Sequence, residues 1–228
     1  MTTDGKEGGE RSVTAAGASA PTPRSPFERY GDADVRRVID HAPLAWVMAS
    51  DGFTASQLPL VGVYSETGTL TDIVGHFALN NPLRAAFAVN PMATILFNGP
   101  EGYVSPSHAG NRQWGPTWNH AHVRLRVEMT VDARTTDEAL ALLIDHVERT
   151  MDRPWTADEL GSRYEGMAQR IIGFRGRVLD CVARFKLGQD EHPDVLASIL
   201  ATHENAELVE WMRAFNAPTL KPKDGTDG

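Results

Sequence analysis

The sequence predicts an α+β protein, an antiparallel split β-barrel of six or seven strands with appended helices. Three observations support this prediction. Short apolar segments alternate with tight-turn residues, which is typical of antiparallel strands. Residues 120–131 alternate apolar and polar side chains without a break. Two threonines stand three residues before a glutamate, which is the capping-box pattern that opens a helix. A closed barrel has no exposed strand edge, so it is favoured over an open sheet.

Length and composition limit the class of protein. A chain of 228 residues, 41% of them hydrophobic, buries one core. No apolar run approaches the roughly 20 residues that cross a bilayer, and the first residues do not resemble a secretory signal. A single cysteine, Cys181, fits a reducing compartment, so we expect a cytoplasmic protein. The formal net charge of −8 disfavours nucleic acid as a partner.

One domain is expected, a split barrel over residues 27–217 that ends in helices. Residues 1–26 are rich in Gly, Ala, Ser, Thr and Pro and have no apolar periodicity, so we predict a disordered leader. Residues 218–228 have the same character, and we predict a disordered tail there.

The first half of the domain is predicted to contain two helices and several strands. Asp32 or Asp34 is placed to cap the first helix, and Pro43 ends it. Asp51 and Gly52 form the turn of a hairpin. The predicted strands are residues 44–50, 57–64, 69–78 and 93–99, the last continuing over 102–107, and the second helix is residues 83–89.

The most regular strand is residues 120–131. Its apolar set is Ala121, Val123, Leu125, Val127 and Met129, and its polar set is His120, His122, Arg124, Arg126 and Glu128. Because successive side chains point to opposite faces of a strand, the apolar set faces the core. Both histidines and both arginines therefore share the other face.

The second half combines helices with one long strand. Thr135 with Glu138, and Thr156 with Glu159, form the two capping-box patterns. A strand is predicted over residues 171–187, and two helices are predicted near residues 193–215.

Seven short segments carry a resemblance when they are taken in order. They are QLPLV (57–61), GHFALNNP (75–82), NGPEGYVSPS (98–107), PTWNHAHV (116–123), PWTADEL (154–160), IIGFRGRV (171–178) and RFKLGQ (184–189). Together they resemble the PaiB-like FMN-binding split-barrel family, from about Phe27 to about Leu200. The resemblance implies a flavin-reductase-like barrel and a homodimer with flavin sites at the subunit interface.

Three positions depart from the usual pattern of that family. Leu79 stands where most members have Lys or Arg, His108 replaces an aromatic residue, and His120 replaces a tyrosine. A basic residue at position 79 suits a flavin phosphate, and such a charge-assisted hydrogen bond is worth about 1.5–3 kcal/mol. The chain is therefore more similar to the piperazate synthase branch, which binds haem rather than FMN.

That branch implies a reaction. The protein is expected to bind haem b and to form an intramolecular N–N bond in N5-hydroxy-L-ornithine, giving L-piperazate with loss of water. Its expected partners are this small molecule and a second copy of the chain. The alternative is an FMN-binding PaiB-like flavoprotein or transcriptional regulator, although the acidic charge disfavours a regulator.

His76 is the candidate iron ligand. It shares a strand face with Val74 and Ala78, and a neutral imidazole beside small or apolar neighbours suits an axial haem position. The alternative is a structural histidine, since flavin-binding relatives also carry it. His108 is the rival ligand.

Further cofactor contacts are predicted on the strand that begins at His120. Arg124 and Arg126 share its face and are suited to haem propionates or a substrate carboxylate. Trp118 is predicted to form a wall of the cofactor pocket. The alternative for the strand is a solvated outer face. A zinc ion is not expected, because no third ligand accompanies His120 and His122.

Lys186, Tyr64 and Tyr103 are the candidate catalytic residues. Lys186 could bind a carboxylate or transfer a proton, and the two tyrosines could donate protons. The alternatives are a surface lysine at a strand end and tyrosines that serve in packing. Cys181 is expected to be a core residue, with thiolate ligation of iron as the lesser alternative.

Overall fold

The computed structural model describes residues 25–217, and within that range six strands close into a barrel. They are β1 Leu44–Ala49, β2 Ala55–Tyr64, β3 Leu70–Ala78, β4 Met92–Val104, β5 Thr117–Val131 and β6 Ile171–Lys186. The order around the barrel is β1-β2-β3-β6-β5-β4, and every neighbouring pair is antiparallel. The predicted fold class, an α+β antiparallel barrel with helices, is confirmed.

The strand with the clearest alternation behaves as its sequence predicts. The five apolar side chains of β5 between positions 121 and 129 are all buried, while Arg124 and Arg126 are exposed. Period two therefore decides which face of β5 meets the core.

A β-bulge in β6 changes which of its residues point outward. Arg126 pairs with Asp180, but the next residue, Val127, pairs with Val178, so Leu179 is the extra residue. A bulge of this kind shifts the alternation by one position. The outward residues of β6 are consequently odd-numbered up to Arg177 and even-numbered from Asp180 onward.

The barrel interior is filled by aromatic and aliphatic side chains. Phe97, Phe174 and Phe185 have no exposed surface, and the ring of Phe77 stacks on that of Phe174 with 5.2 Å between centroids. Each such side chain contributes about 1.5–3 kcal/mol through its burial. The core thus holds the strands rigidly, and functional side chains are left to the outer surface.

Six helices complete the described part of the chain: α1 Asp32–His41, α2 Leu83–Val89, α3 Thr136–Glu148, α4 Arg163–Ala168, α5 Pro193–Thr202 and α6 Ala206–Phe215. Helix α3 packs on β3 and β6. Leu196 and Ile199 of α5, with Leu208 and Met212 of α6, join the buried core cluster. No helix among residues 25–217 is long and apolar enough to cross a membrane.

The helix starts differ in part from the sequence patterns. Thr135 makes no capping bond: its hydroxyl donates to the Asp132 carbonyl at 2.7 Å, and Thr136 accepts the Gly173 N–H at 3.0 Å. Tertiary contact with β6 has therefore replaced the predicted capping box. Half of the Thr156 box is formed, since the Glu159 carboxylate accepts the Thr156 N–H at 3.2 Å, and it opens a 3-10 turn, Ala157–Leu160, ahead of α4.

The cap of α1 is contributed by Asp34. Its carboxylate accepts the backbone N–H of Gly31 at 2.9 Å, while Asp32 accepts the hydroxyl hydrogen of Thr69 at 2.6 Å. At the N-terminal edge of the described chain, Ser25 precedes a 3-10 turn, Pro26–Glu28. The rest of the predicted leader, residues 1–24, and the tail, residues 218–228, lie outside the described residues.

Candidate functional site

The predicted site residues fall on two surfaces of the barrel. We call the first the His76 cavity, which lies beneath α3 and α4. The second is the open face, the outward side of β4, β5 and the C-terminal half of β6. Tyr64 belongs to neither surface.

His76 points away from the barrel interior. Its strand neighbours Ile73 and Phe77 are buried in the core, and alternation directs His76 to the opposite side. Its paired residue, Gly173, faces the backbone of Thr135 and Thr136 at the start of α3. The outward side chain of His76 therefore lies in the space beneath α3 and α4.

The space that contains His76 measures about 280 Å³. Two further spaces of about 400 and 560 Å³ adjoin it without reaching His76. The 280 Å³ space contains the imidazole, and its other walls are almost entirely apolar. They are formed by Leu140, Ile144, Trp155, Ala157, Leu160, Tyr164, Met167, Ala168 and Ile171. Each of the other two spaces shares wall residues with the space at His76, so the three form a groove that the shared side chains divide.

The imidazole of His76 has an unpaired nitrogen. Its Nδ1 is fully buried and has no hydrogen-bond partner among the described residues. Burial lowers the pKa of His76 below its usual value, so the ring is neutral at pH 7. A neutral ring with a free nitrogen is what metal coordination requires.

His108, the rival ligand, is fully engaged. Its Nδ1 accepts the backbone N–H of Ser105 at 3.2 Å, and its Nε2 lies 3.2 Å from the Glu204 carboxylate. Its ring also lies 4.7 Å from that of His203. Coordination by His108 would break these contacts, whereas coordination by His76 breaks none.

The surroundings of Leu79 are more polar than the sequence indicates. Leu79 is partly exposed, and its carbonyl accepts from the Arg84 guanidinium at 3.4 Å. Both residues line an open groove of about 430 Å³ with Asn80 and Asn81. An arginine five residues further along the chain thus supplies a cation near the position where the family has one.

The open face gathers most of the other predicted residues. Tyr103 pairs with Trp118, and their rings lie 5.9 Å apart. Lys186 pairs with His120 across β5 and β6. Alternation adds His122, Arg124 and Arg126 to the same side. Trp118 and Tyr103 are 56% and 46% exposed, so a flat ligand or a second protein surface can reach them.

Basic side chains predominate on this face, although Asp180 pairs with Arg126 and Glu101 pairs with His120. The rings of His120 and His122 stack at 5.4 Å, and burial together with nearby Arg184 lowers the pKa of both. Lys186 adds to the effect on His120. Neutral histidines can therefore act as hydrogen-bond partners, while the arginines and the lysine provide the charge for an anion.

Lys186 is held in place. Its ammonium donates to the Thr117 hydroxyl and lies 6.0 Å from the Phe27 ring centroid. It is only partly buried, so its exposed part can bind a carboxylate at the edge of the open face.

Tyr64 lies on the other side of the sheet. A Cβ placed on Gly62 would meet the Tyr64 hydroxyl at 2.5 Å, and Gly62 pairs with Ile73, a core residue. Arg36 of α1 covers the ring at 4.5 Å. Burial and the nearby Asp40 raise the pKa of Tyr64 above its usual range. The structure therefore separates Tyr64 from the other candidates.

The two surfaces are far apart within one chain. His76 pairs with Gly173 and His120 with Lys186, which lie near opposite ends of β6. At about 3.3 Å per residue, and with one residue taken up by the bulge, β6 runs for at most roughly 40 Å from Gly173 to Lys186. His76 and Lys186 therefore lie near opposite ends of one strand.

Sequence reasoning missed the residues that cover His76. Trp155, Leu160 and Tyr164 form its cavity wall, and the Tyr164 hydroxyl donates to Asp137 at 2.6 Å. The PWTADEL segment marked this region, but its length and spacing did not show which strand residue it would cover. Cys181 is half-buried, and burial raises its pKa to about 11, which opposes a thiolate ligand.

Comparisons with known proteins agree with this architecture. Residues 23–180 match the family model described as "Putative FMN-binding domain". The Bacillus subtilis (strain 168) "Protease synthase and sporulation protein PAI 2" is 28% identical over 137 residues, 59% of this chain. The match spans 66% of that relative, slightly less than two thirds of its length.

Two solved structures share the fold at low sequence identity. The "FAD and Heme binding protein from Mycobacterium smegmatis" has a TM-score of 0.52 and 16% identity over 75% of this chain and 77% of that one. The "conserved hypothetical protein Rv2991 from Mycobacterium tuberculosis" has a TM-score of 0.51 and 9% identity over 72% of this chain and 91% of that one.

Proposed function

Because the chain belongs to the PaiB-like family described as "Putative FMN-binding domain", we propose that it holds a flat cofactor in the groove above His76. The cofactor we propose is haem b, with His76 as iron ligand. The reaction we propose is that of a piperazate synthase. The Mycobacterium smegmatis protein of the same fold is described as binding both FAD and haem, so the fold is compatible with either group.

The unpaired Nδ1 of His76 is the observation that supports haem most directly. A buried polar atom without a partner costs about 1–3 kcal/mol, and a bound group can recover that cost. The surrounding aliphatic and aromatic walls suit a porphyrin better than a phosphate. No hydrogen bond fixes the tautomer, so either ring nitrogen is available to a metal.

The size of the site requires movement or a partner. Ligand sites typically measure about 300–1,000 Å³, and the 280 Å³ space at His76 lies below that range. The adjoining spaces of about 400 and 560 Å³ bring the groove to a suitable size once the covering chain shifts.

The second copy of the chain has a specific role in this proposal. Because His76 and Lys186 lie near opposite ends of β6, we propose a homodimer in which one protomer contributes His76 and its partner the open face. Trp46 of β1, which is 43% exposed, pairs with Leu96 and extends the apolar edge of that face. Such a surface suits a protein contact.

The proposed reaction joins the α-nitrogen and N5 of N5-hydroxy-L-ornithine. The N–N bond forms as the N–O bond breaks, and the departing hydroxide takes the proton that the α-amine loses, so one water is released. When bound, the iron would supply a Lewis acid at the departing oxygen. Arg124 or Arg126 would hold the substrate carboxylate, and Lys186 would bind substrate or transfer the proton. Curling the substrate supplies proximity, which contributes several kcal/mol.

FMN remains the second candidate, and one observation favours it. Arg84 lies beside Leu79, and a guanidinium can bind a flavin phosphate through two hydrogen bonds. In that case the protein is a PaiB-like flavoprotein, and the groove at residues 79–88 takes the phosphate.

An absorption spectrum separates the two candidates. Protein expressed with a haem precursor is expected to show a Soret band, and H76A is expected to lose or shift it. H108A is the matched control, since it removes a histidine whose nitrogens are already engaged. A flavin spectrum with no haem uptake would reject the haem proposal, and Arg84→Ala should then release the flavin.

Turnover is tested separately. The holoprotein is incubated with N5-hydroxy-L-ornithine, and the product is expected to be lighter by one water. Loss of activity in R124A and R126A with the Soret band unchanged would place them at the substrate. Haem binding without product would leave a haem protein that is not a piperazate synthase.

A further inference from the structure

The chain between α3 and β6, residues 149–170, covers the His76 cavity. Six of the ten residues that line the cavity come from this segment, from Trp155 to Ala168. The fixed wall is formed by His76 and by residues of α3 and β6. We call residues 149–170 the cover segment.

The cover segment is weakly attached to the barrel. None of its residues is buried, in contrast to the strands on either side of the cavity. Segments with few buried apolar contacts open at a small free-energy cost, well below that of global unfolding. Gly161 also has a φ of 54°, and its Cβ position has no neighbour within 4 Å, so the chain can bend between the 3-10 turn and α4.

Few hydrogen bonds join the interior of this segment to the rest of the described chain. The Trp155 N–H donates to the Glu148 carboxylate at 2.9 Å, and the Tyr164 hydroxyl donates to the Asp137 carboxylate at 2.6 Å. Glu148 lies next to the start of the segment, so that bond constrains little. Asp137 lies in the first turn of α3, and only this bond ties α4 to the helix above the cavity.

We propose that residues 149–170 are a lid over the His76 cavity and that the Tyr164–Asp137 hydrogen bond is its latch. Tyr164 lines both the space at His76 and the larger adjoining space. Breaking its bond frees α4 to move, and the two spaces then join. The latch sets how often the cavity opens and therefore how fast a ligand enters and leaves. That the ligand is a cofactor rests on the function proposed above.

Hydrogen–deuterium exchange tests the lid without any cofactor. In Y164F, amides of residues 155–170 are expected to exchange about threefold to tenfold faster, where tenfold corresponds to ~1.4 kcal/mol. Strand β5 should be unchanged. Y30F is the matched control, because it removes another tyrosine hydroxyl bond, the one to the Cys181 carbonyl at 3.3 Å. The double variant D137A/Y164F should exchange over residues 155–170 as Y164F does, because each change removes one partner of the same bond.

Cofactor release is the second measurement. For protein loaded with haem or FMN, Y164F is expected to release it faster by a similar factor, and Y30F is expected to release it as the wild type does. Unchanged exchange over residues 155–170 in Y164F would overturn the proposal. Equal acceleration in β5 would also overturn it, because the bond would then stabilise the whole fold. If neither cofactor binds but exchange rises locally, the lid stands and the proposed function fails.

Discussion

Replacing His76 by leucine should make the cofactor-free protein more stable. The Nδ1 of His76 is buried and has no partner between residues 25 and 217, and such an atom costs about 1–3 kcal/mol of folding free energy. The ring as a whole is only partly buried, so we take the lower end, about 1 kcal/mol. Leucine has a similar size and suits the apolar walls of the cavity.

The expected gain is measurable by thermal unfolding. For a chain of this length, about 1 kcal/mol raises Tm by roughly 2–4 °C. The matched control is H108L. His108 accepts the part-buried Ser105 N–H at 3.2 Å, so leucine there leaves that N–H without its acceptor and should lower Tm. The same substitution at two histidines should thus have opposite signs.

With cofactor bound, the wild type should be more stable than H76L. A ligand at one hundred times its Kd stabilises the wild type by about 2.7 kcal/mol, and H76L, which cannot ligate iron, gains little. The reasoning is refuted if cofactor-free H76L melts below the wild type, or if H76L and H108L shift Tm in the same direction.

Substitutions at Tyr64, Gly173 and Gly166 and a change of pH also test the structure. Y64F should change stability little in chemical unfolding, because the buried Tyr64 hydroxyl lies near Asp40 but makes no well-formed hydrogen bond to a described residue. It should leave cofactor binding, measured by absorption, intact because Tyr64 lies on neither surface. G173A should cost about 1–3 kcal/mol in chemical unfolding, since its Cβ would lie 2.6 Å from the Thr135 backbone, while G166A, with nothing within 4 Å, should be neutral or stabilising. The free energy of unfolding should fall as pH drops below about 6.5. The reason is that the unfolded chain then binds protons at His76, His120 and His122, whose pKa values are lowered in the folded protein. In H76L, the free energy of unfolding should depend less steeply on pH.

Much of the barrel could be predicted from the sequence because its strands alternate regularly. The apolar set of β5 is buried as predicted, and His120, Arg124 and Arg126 share the opposite face. Period two depends only on local geometry, so it survives in any antiparallel sheet. The start of α3 could not be predicted in this way, because Thr136 bonds to Gly173, which is 37 residues away.

The site could be predicted residue by residue but not as an assembly. His76 and Lys186 were each identified from their segments, yet the register of β6 places them near opposite ends of one strand. The cover over His76 was not predicted, because its side chains share no periodicity with β3. Leu79 was interpreted from its own side chain, whereas Arg84, which reaches its carbonyl, is brought there by the turn into α2.

The properties of His76 link the stability of the protein to its proposed function. A histidine with an unpaired nitrogen is unfavourable in a protein that only has to fold, because leucine would fill the same space at lower cost. The lid over it is similarly unfavourable, since it leaves apolar walls under a segment with no buried residue. Both features become favourable once a ligand occupies the groove, because the ligand satisfies the nitrogen and covers the walls. The destabilising features therefore lie together at the place where binding would offset them.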